Sequence, residues 1–273
     1  MTEFSRYALM MEALAELKPE IDALTRRTQP VPARPTISEV LTEFGPMPPE
    51  ALFLGVASDG LPVLLNLHDP IPGPILIAGD PGTGKTLLLQ NIASAAGKMH
   101  QPEELQFGAL TNHPEEWSGL ENIPNNVGIF PLYHKSSEDF ILSLASWAHG
   151  NKTSKQAVLL LLDDLDVVSN LDFDARQNLR WLFLRGPARR VWPIITLNST
   201  RMENALPWLE AFHTRIFGKI ENAQHVRQLD AEHAELDSLN IGSQFALREG
   251  DHWLRFWIPS MDYEVPHKNP YSE

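Results

Sequence analysis

Apolar residues recur along this chain with two different periods, and the changes between them mark out its elements. Near the start, Phe4, Tyr7, Met11, Leu14, Leu17, Ile21 and Leu24 fall three or four positions apart, the stripe of a helical segment over residues 1–27 that Pro19 kinks or divides. Residues 28–36 space Pro30, Pro32 and Pro35 along an extended linker. The pattern then shortens. Apolar runs at 51–56 and 61–67 flank Ser58-Asp59-Gly60, which predicts a β-hairpin, and 75–78 is a compact apolar strand. A helix over about 84–97, strands near 106–111 and 127–132, and a helix opened by Ser136 with Asp139 as its capping box and closed by Gly150 follow. Residues 157–162 are apolar on both faces, the mark of a buried central strand. Beyond them the spacing predicts a helix at 173–184 stopped by Gly186, a strand at 191–197, a helix near 203–212, a strand at 214–220, helical turns at 222–239, and a hairpin of 243–247 with 252–258. Strands alternating with helices predict an α/β fold, a mainly parallel central sheet covered on both faces, with the hairpins as additions. One domain is expected over 37–260 and an irregular tail over 261–273.

The junction between the strand at 75–78 and the helix after it reads Gly79-Asp80-Pro81-Gly82-Thr83-Gly84-Lys85-Thr86, then Leu87. This is G-x-x-x-x-G-K-[ST], a phosphate-binding loop. Glycines let backbone N–H groups curl around a phosphate, the lysine reaches the β- and γ-phosphates, and the last hydroxyl holds Mg²⁺. The helix start adds partial positive charge at the same spot. Further on, the central strand at 157–162 runs into Asp163-Asp164, at the carboxyl end where open α/β sheets place ligands. Asp163 is the candidate partner of Mg²⁺, beside Thr86, and Asp164 the candidate to orient or deprotonate a water. Asn198, ending the strand at 191–197, can reach a γ-phosphate or that water, or can cap the helix that follows. The cofactors implied are ATP and Mg²⁺.

At 273 residues and 43% hydrophobic content the chain can bury a sizeable core. It has no cysteine, which excludes disulfides and thiolate metal sites, and its ten histidines show no metal-ligand spacing. No apolar run is long enough to span a bilayer and the first residues lack a signal-type core, so a cytoplasmic protein without membrane insertion is expected. The net charge of −13 opposes non-specific attraction to nucleic acid. That charge is unevenly spread. Between 171 and 220, eight basic residues stand against four acidic ones, and seven of the fourteen arginines (Arg176, Arg180, Arg185, Arg189, Arg190, Arg201 and Arg215) fall in this window. Such an island is a solvated helix face with local ion pairs or a surface reserved for a partner.

The hairpin Leu54-Gly55-Val56 through Asp59-Gly60-Leu61-Pro62-Val63, then Gly73-Pro74-Ile75-Leu76-Ile77-Ala78-Gly79 and the loop, resembles the core of the FtsK/HerA superfamily of P-loop motors. Ile194-Ile195-Thr196-Leu197-Asn198 is similar to that family's sensor strand, Thr214-Arg215-Ile216 to its Arg-Ile strand, and Gly242-Ser243-Gln244-Phe245-Ala246-Leu247 to its late glycine-led strand. The resemblance spans roughly 51–258. It implies a P-loop NTPase with a RecA-like sheet, ATP hydrolysis, a homo-oligomer that is usually a hexameric ring, and double-stranded DNA as a candidate partner, with protein substrates in some relatives. It also implies ATP bound between subunits and completed by a neighbour's arginine, for which Arg201 and Arg215 are the candidates. Asp164 and Asn198 stand where the family usually has glutamate and glutamine, each one methylene longer. That shortening supports a second reading, a scaffold whose assembly ATP controls with little turnover. The loop also suits an AAA-type ATPase, although the chain closes on a predicted hairpin rather than a helical lid.

Overall fold

A computed structural model describes residues 34–151, 154–249 and 252–262. The helical segment expected over 1–27, most of the linker and residues 263–273 lie outside the described residues. The first described element is a helix that the apolar spacing did not single out, α1 (Ile37–Phe44). The Thr36 hydroxyl accepts from Glu39 N at 3.3 Å, and the Glu39 carboxylate accepts from Thr36 N at 2.7 Å. This reciprocal box satisfies two backbone donors at the helix start, and the helix then buries Ile37 and Val40.

The hairpin around Ser58-Asp59-Gly60 forms as β1 (Ala51–Ala57) and β2 (Pro62–Asn66). In order there follow β3 (Ile75–Gly79), α2 (Lys85–Met99), β4 (Leu105–Thr111), β5 (Asn126–Pro131), α3 (Lys135–Gly150), β6 (Ala157–Leu162) and α4 (Phe173–Arg185). The chain continues through β7 (Val191–Asn198), α5 (Met202–Leu209), β8 (Thr214–Phe217), α6 (Ala223–Gln228), β9 (Gln244–Glu249) and β10 (His252–Trp257). Two local expectations are corrected, and a third, the stop at Gly186, is met with an uncommon geometry. Ser136 does not open α3: His134 is the cap, its ring Nδ1 accepting from Ser136 N at 3.2 Å, and Ser136 lies inside the first turn. The strand expected to reach 220 stops at Phe217, because the chain then turns to meet the phosphate loop, where Asp80 N donates to Lys219 O at 2.9 Å. Gly186 ends α4 without the left-handed cap common at that position, at φ −53°. A Cβ there would meet Leu182 O at 2.3 Å and Val191 O at 2.8 Å, so close backbone approach is what requires the glycine.

The ten strands form one sheet in the order β2-β1-β10-β9-β8-β3-β7-β6-β4-β5. From β8 to β5 all neighbours are parallel; from β2 to β9, and across to β8, they are antiparallel. The two hairpins are therefore continuous with the central sheet, joined to each other where β1 pairs with β10. Side chains alternate between two separate cores. Ile75 and Ile77 of β3, with Leu159 and Leu161 of β6, enter the core built on α2 and the β1–β2 hairpin. Leu76, Ala78, Leu160 and Leu162 enter the core built on α3, α4 and α5. A strand with a core on each face must be apolar at every position, which is why 157–162 shows no alternation.

Strand order sets the site. β7 lies between β3 and β6, pairing Gly79 with Asn198 and Leu162 with Ile195. β3 and β7 thus finish level, β6 ends three residues short of them, and the residue after Leu162 stands level with Thr196.

Candidate active site

The phosphate loop is shaped from both sides by later parts of the chain. Gly84, which opens α2, has φ 91°, and a Cβ on it would come within 2.7 Å of Gly242 Cα. A side chain is excluded both by backbone angle and by the segment leading into β9. Gly242 N donates to Thr83 O at 3.1 Å, so the glycine-led approach to β9 rests on the loop. Asp80 fastens the opposite side: its carboxylate accepts from the Ser199 hydroxyl after β7 and from Glu221 N at 2.9 Å after β8. Thr83 Oγ1 donates to Asp80 O at 2.8 Å, while Pro81 and Gly82 stand exposed at the loop tip. Leu87 packs against the core under α2. Lys85 Nζ donates to Gly79 O at 3.0 Å and Asp80 O at 2.7 Å. Burial lowers its pKa, against the charges of Asp164, Asp163 and Asp80, which favour the ammonium.

Across β7, Asp163 faces the loop. Thr86 Oγ1 lies 3.1 and 3.0 Å from its two carboxylate oxygens, Thr196 Oγ1 donates to it at 2.9 Å, and Thr111 Oγ1 stands at 3.4 Å. Burial pushes this carboxyl up; the hydrogen bonds from Thr196 and Thr86, the Lys85 charge and the Thr111 contact pull the other way. Thr196 is the functional residue that sequence reasoning missed. It is buried in β7, and its one hydroxyl also accepts from Asp164 N at 2.7 Å. Donor and acceptor of a single group therefore fix both members of the acidic pair.

Asp164 begins the 3-10 turn Leu165–Asn170 at φ 89°, a conformation that a non-glycine residue adopts at a cost of order 1–3 kcal/mol. Arg201 Nη1 lies 3.5 Å from Asp164 Oδ2 and 3.1 Å from Asp166 Oδ2. Oδ1 of each aspartate is buried without a protein hydrogen-bond partner. Burial first, then the adjacent Asp166 carboxyl, then Asp163, push the Asp164 carboxyl up to about 7, opposed by Arg201.

The remaining sequence candidates divide. Asn198 stands opposite Gly79, and its Oδ1 accepts from Thr200 N at 3.2 Å and Thr200 Oγ1 at 3.0 Å, capping the turn Ser199–Arg201. Arg201 is beside the acidic pair of its own chain. Arg215 is not brought to the site. It pairs with Leu76 at the far end of β3 and donates to Phe212 O and Leu229 O at 3.1 Å and to Leu209 O at 3.3 Å, bracing the end of α5 against the end of α6. Among the described residues no three His, Asp or Glu side chains converge as a metal site of their own.

A parallel sheet in which a glycine-rich loop strand and an acidic strand are separated by one intervening strand, with loop threonine and strand-end aspartate in contact, defines a P-loop nucleoside triphosphatase. Comparison with known proteins adds the particular ATPases it is similar to. Residues 75–180, from β3 through the acidic pair into α4, match the family model AAA, the ATPase family associated with various cellular activities. The fold is similar to EssC (ATPases 2 and 3) from Geobacillus thermodenitrificans, with a TM-score of 0.64 and 16% identity over 81% of this chain and 49% of that one. It is similar to the cytoplasmic domain of the Thermomonospora curvata type VII secretion ATPase EccC, at 0.62 and 16% over 87% and 33%. The pCW3 conjugation coupling protein TcpA, solved with ATPγS, matches at 0.61 and 13% over 83% and 70%. The chain spans a third to a half of the length of the EssC and EccC structures. No curated protein sequence matches it. Domain match and fold together make this a P-loop ATPase.

Proposed function

We propose that the protein is an Mg²⁺-dependent ATP hydrolase of FtsK/HerA type, working as an assembly of identical chains on double-stranded DNA. The observation that carries the reading is the meeting of Thr86 and Asp163 across β7, which brings the loop and the acidic strand into one site. These two groups fit magnesium: a hydroxyl and a carboxylate are hard oxygen donors, and Mg²⁺ takes one or two protein groups, its other positions going to water and phosphate oxygens. When bound, the ion neutralises charge on the β- and γ-phosphates. The chain supplies the rest. Loop N–H groups and Lys85 hold the phosphates, Asp164 orients the attacking water and takes its proton, and Asn198 has its amide nitrogen left for the γ-phosphate or that water once its oxygen caps the turn.

For the substrate, the support is electrostatic. α4 exposes Arg176, Arg180 and Arg185 on an otherwise acidic protein, a place where a polyanion would be held. A conjugation coupling protein stands among the similar folds, as does EccC in complex with a signal sequence peptide, so a protein substrate is the competing outcome. Phosphate release is measured with Mg²⁺ and with duplex DNA, single-stranded DNA or no nucleic acid. Stimulation by duplex supports the motor; absence of turnover under all three conditions removes it.

One observation favours a scaffold with little turnover. Asp164 Oδ2 is engaged by Arg201 at 3.5 Å and Asn198 Oδ1 is spent on capping the turn, and both side chains are short, so their reach to an attacking water is limited. Light scattering with ATP, with ADP and with neither distinguishes the two: nucleotide-controlled assembly with negligible phosphate release selects the scaffold.

A further inference from the structure

The turn Ser199–Arg201 is attached to the site of its own chain at three points. The Ser199 hydroxyl donates to Asp80 in the phosphate loop, Asn198 caps the turn from its place opposite Gly79, and Arg201 reaches the acidic strand end. An arginine that served a neighbouring subunit would have to leave these carboxylates. The nearer of them is Asp166, at 3.1 Å, a residue the sequence did not single out. Its side chain is 13% exposed, against 56% for Arg201, so a largely buried carboxylate holds an arginine that still faces outward. Both carboxylate contacts use Nη1, which leaves the other nitrogens of the fork for a second acceptor.

We propose that Asp166 is a positioning residue that holds Arg201 in cis, so that Arg201 reads the terminal phosphate of the nucleotide bound to its own chain. The inference rests on the ATP site proposed above. A γ-phosphate placed beside Asp163 and Asp164 adds negative charge where three carboxylates already crowd one turn, and the guanidinium beside that turn can offset it together with Lys85 and the ion. Arg201 keeps Nη1 on Asp166 and turns its remaining donors to the phosphate, which releases Asp164 Oδ2 for the water. ADP lacks that phosphate. Arg201 therefore favours ATP over ADP, and Asp166 does so only through Arg201.

The test measures affinity for a non-hydrolysable ATP analogue and for ADP, each with Mg²⁺, by displacement of a fluorescent nucleotide from the full chain. Arg201→Ala lowers the ATP-to-ADP affinity ratio about tenfold. Asp166→Ala produces a similar loss, and the double variant loses no more than Arg201→Ala alone, because the two residues act as one unit. Asp166→Glu, which keeps the carboxylate, restores part of the ratio. A merely structural Asp166 would weaken both nucleotides together or add its loss to that of Arg201, and either result overturns the proposal. If Asp166→Ala unfolds early in a thermal melt, Asp166→Asn carries the same comparison. Co-expression of Arg201→Ala chains with Lys85→Ala chains addresses the cis assignment: hydrolysis stays at the level of the separate variants, whereas recovery shows an arginine crossing between chains and overturns it. A wild-type chain that binds neither nucleotide removes the ATP site itself and this inference with it, an outcome distinct from a lost ATP-to-ADP ratio.

Discussion

Between Gly79 and Thr86 the chain meets its own polar groups: Lys85 sits on two carbonyls, Asp80 takes donors from Ser199 and Glu221, and Thr83 closes onto Asp80. Across β7 the stretch from Asp163 to Asp166 is built differently. Three carboxylates share one turn, two of their oxygens are buried without a protein donor, and Asp164 carries a positive φ. The loop is a settled cradle, while strain and unmet charge are concentrated at the acidic end, where a reaction needs groups with displaced proton affinities. Binding and chemistry should therefore separate cleanly between the two halves.

The strongest test of that separation is Asp164→Asn. It should lower kcat by about 10²–10⁴-fold with ATP affinity changed little, read by phosphate release beside a nucleotide titration. Loss of affinity with kcat retained would exchange the roles of the two halves. On the loop side, Lys85→Ala should weaken ATP binding by about a hundredfold without lowering the melting temperature, since burial already disfavours the ammonium in the fold. Thr196→Val probes the link between them. It keeps the shape but removes a donor to Asp163 and an acceptor from Asp164, and should cost about 1–3 kcal/mol in denaturant unfolding. A further effect is a slope of stability with pH. Because folding raises the Asp164 carboxyl to about 7 from 3.8, the folded chain binds the extra proton between these values, and this group's stabilising contribution is lost as pH rises from about 4 to about 7. Measured without nucleotide, Asp164→Asn should gain stability relative to wild type across that interval; a difference that stays constant with pH contradicts the shift.

The sequence showed the loop half more plainly than the acidic half, for a physical reason. Gly79 to Thr86 is a local device whose spacing carries its mechanism, and the hairpin turn and the two-faced run at 157–162 are local as well. The partners of the acidic pair come from other strands, and register cannot be read from one segment. Thr196 left only one trace, a hydroxyl inside an otherwise apolar run, and nothing in the sequence singled out Asp166. Arg215 attracted notice by its place in a motif, yet it is spent on carbonyls, Leu209 O and Phe212 O just before it and Leu229 O fourteen residues on. The box of Thr36 and Glu39 was present in the sequence, masked by the neighbouring prolines. His134 displaced Ser136 as a cap because an imidazole nitrogen can accept as a hydroxyl oxygen does.

The sheet order has a bearing on synthesis. Both neighbours of β3 are made late, from Val191–Asn198 and Thr214–Phe217, so the loop strand leaves the ribosome more than a hundred residues before anything can pair with it. Its unpaired edges and the one edge of β1 that waits for β10 are sticky surfaces during that interval. Chains cut short before Val191 should accumulate as aggregates rather than as a small nucleotide-binding fragment, although they contain the whole phosphate loop and both aspartates.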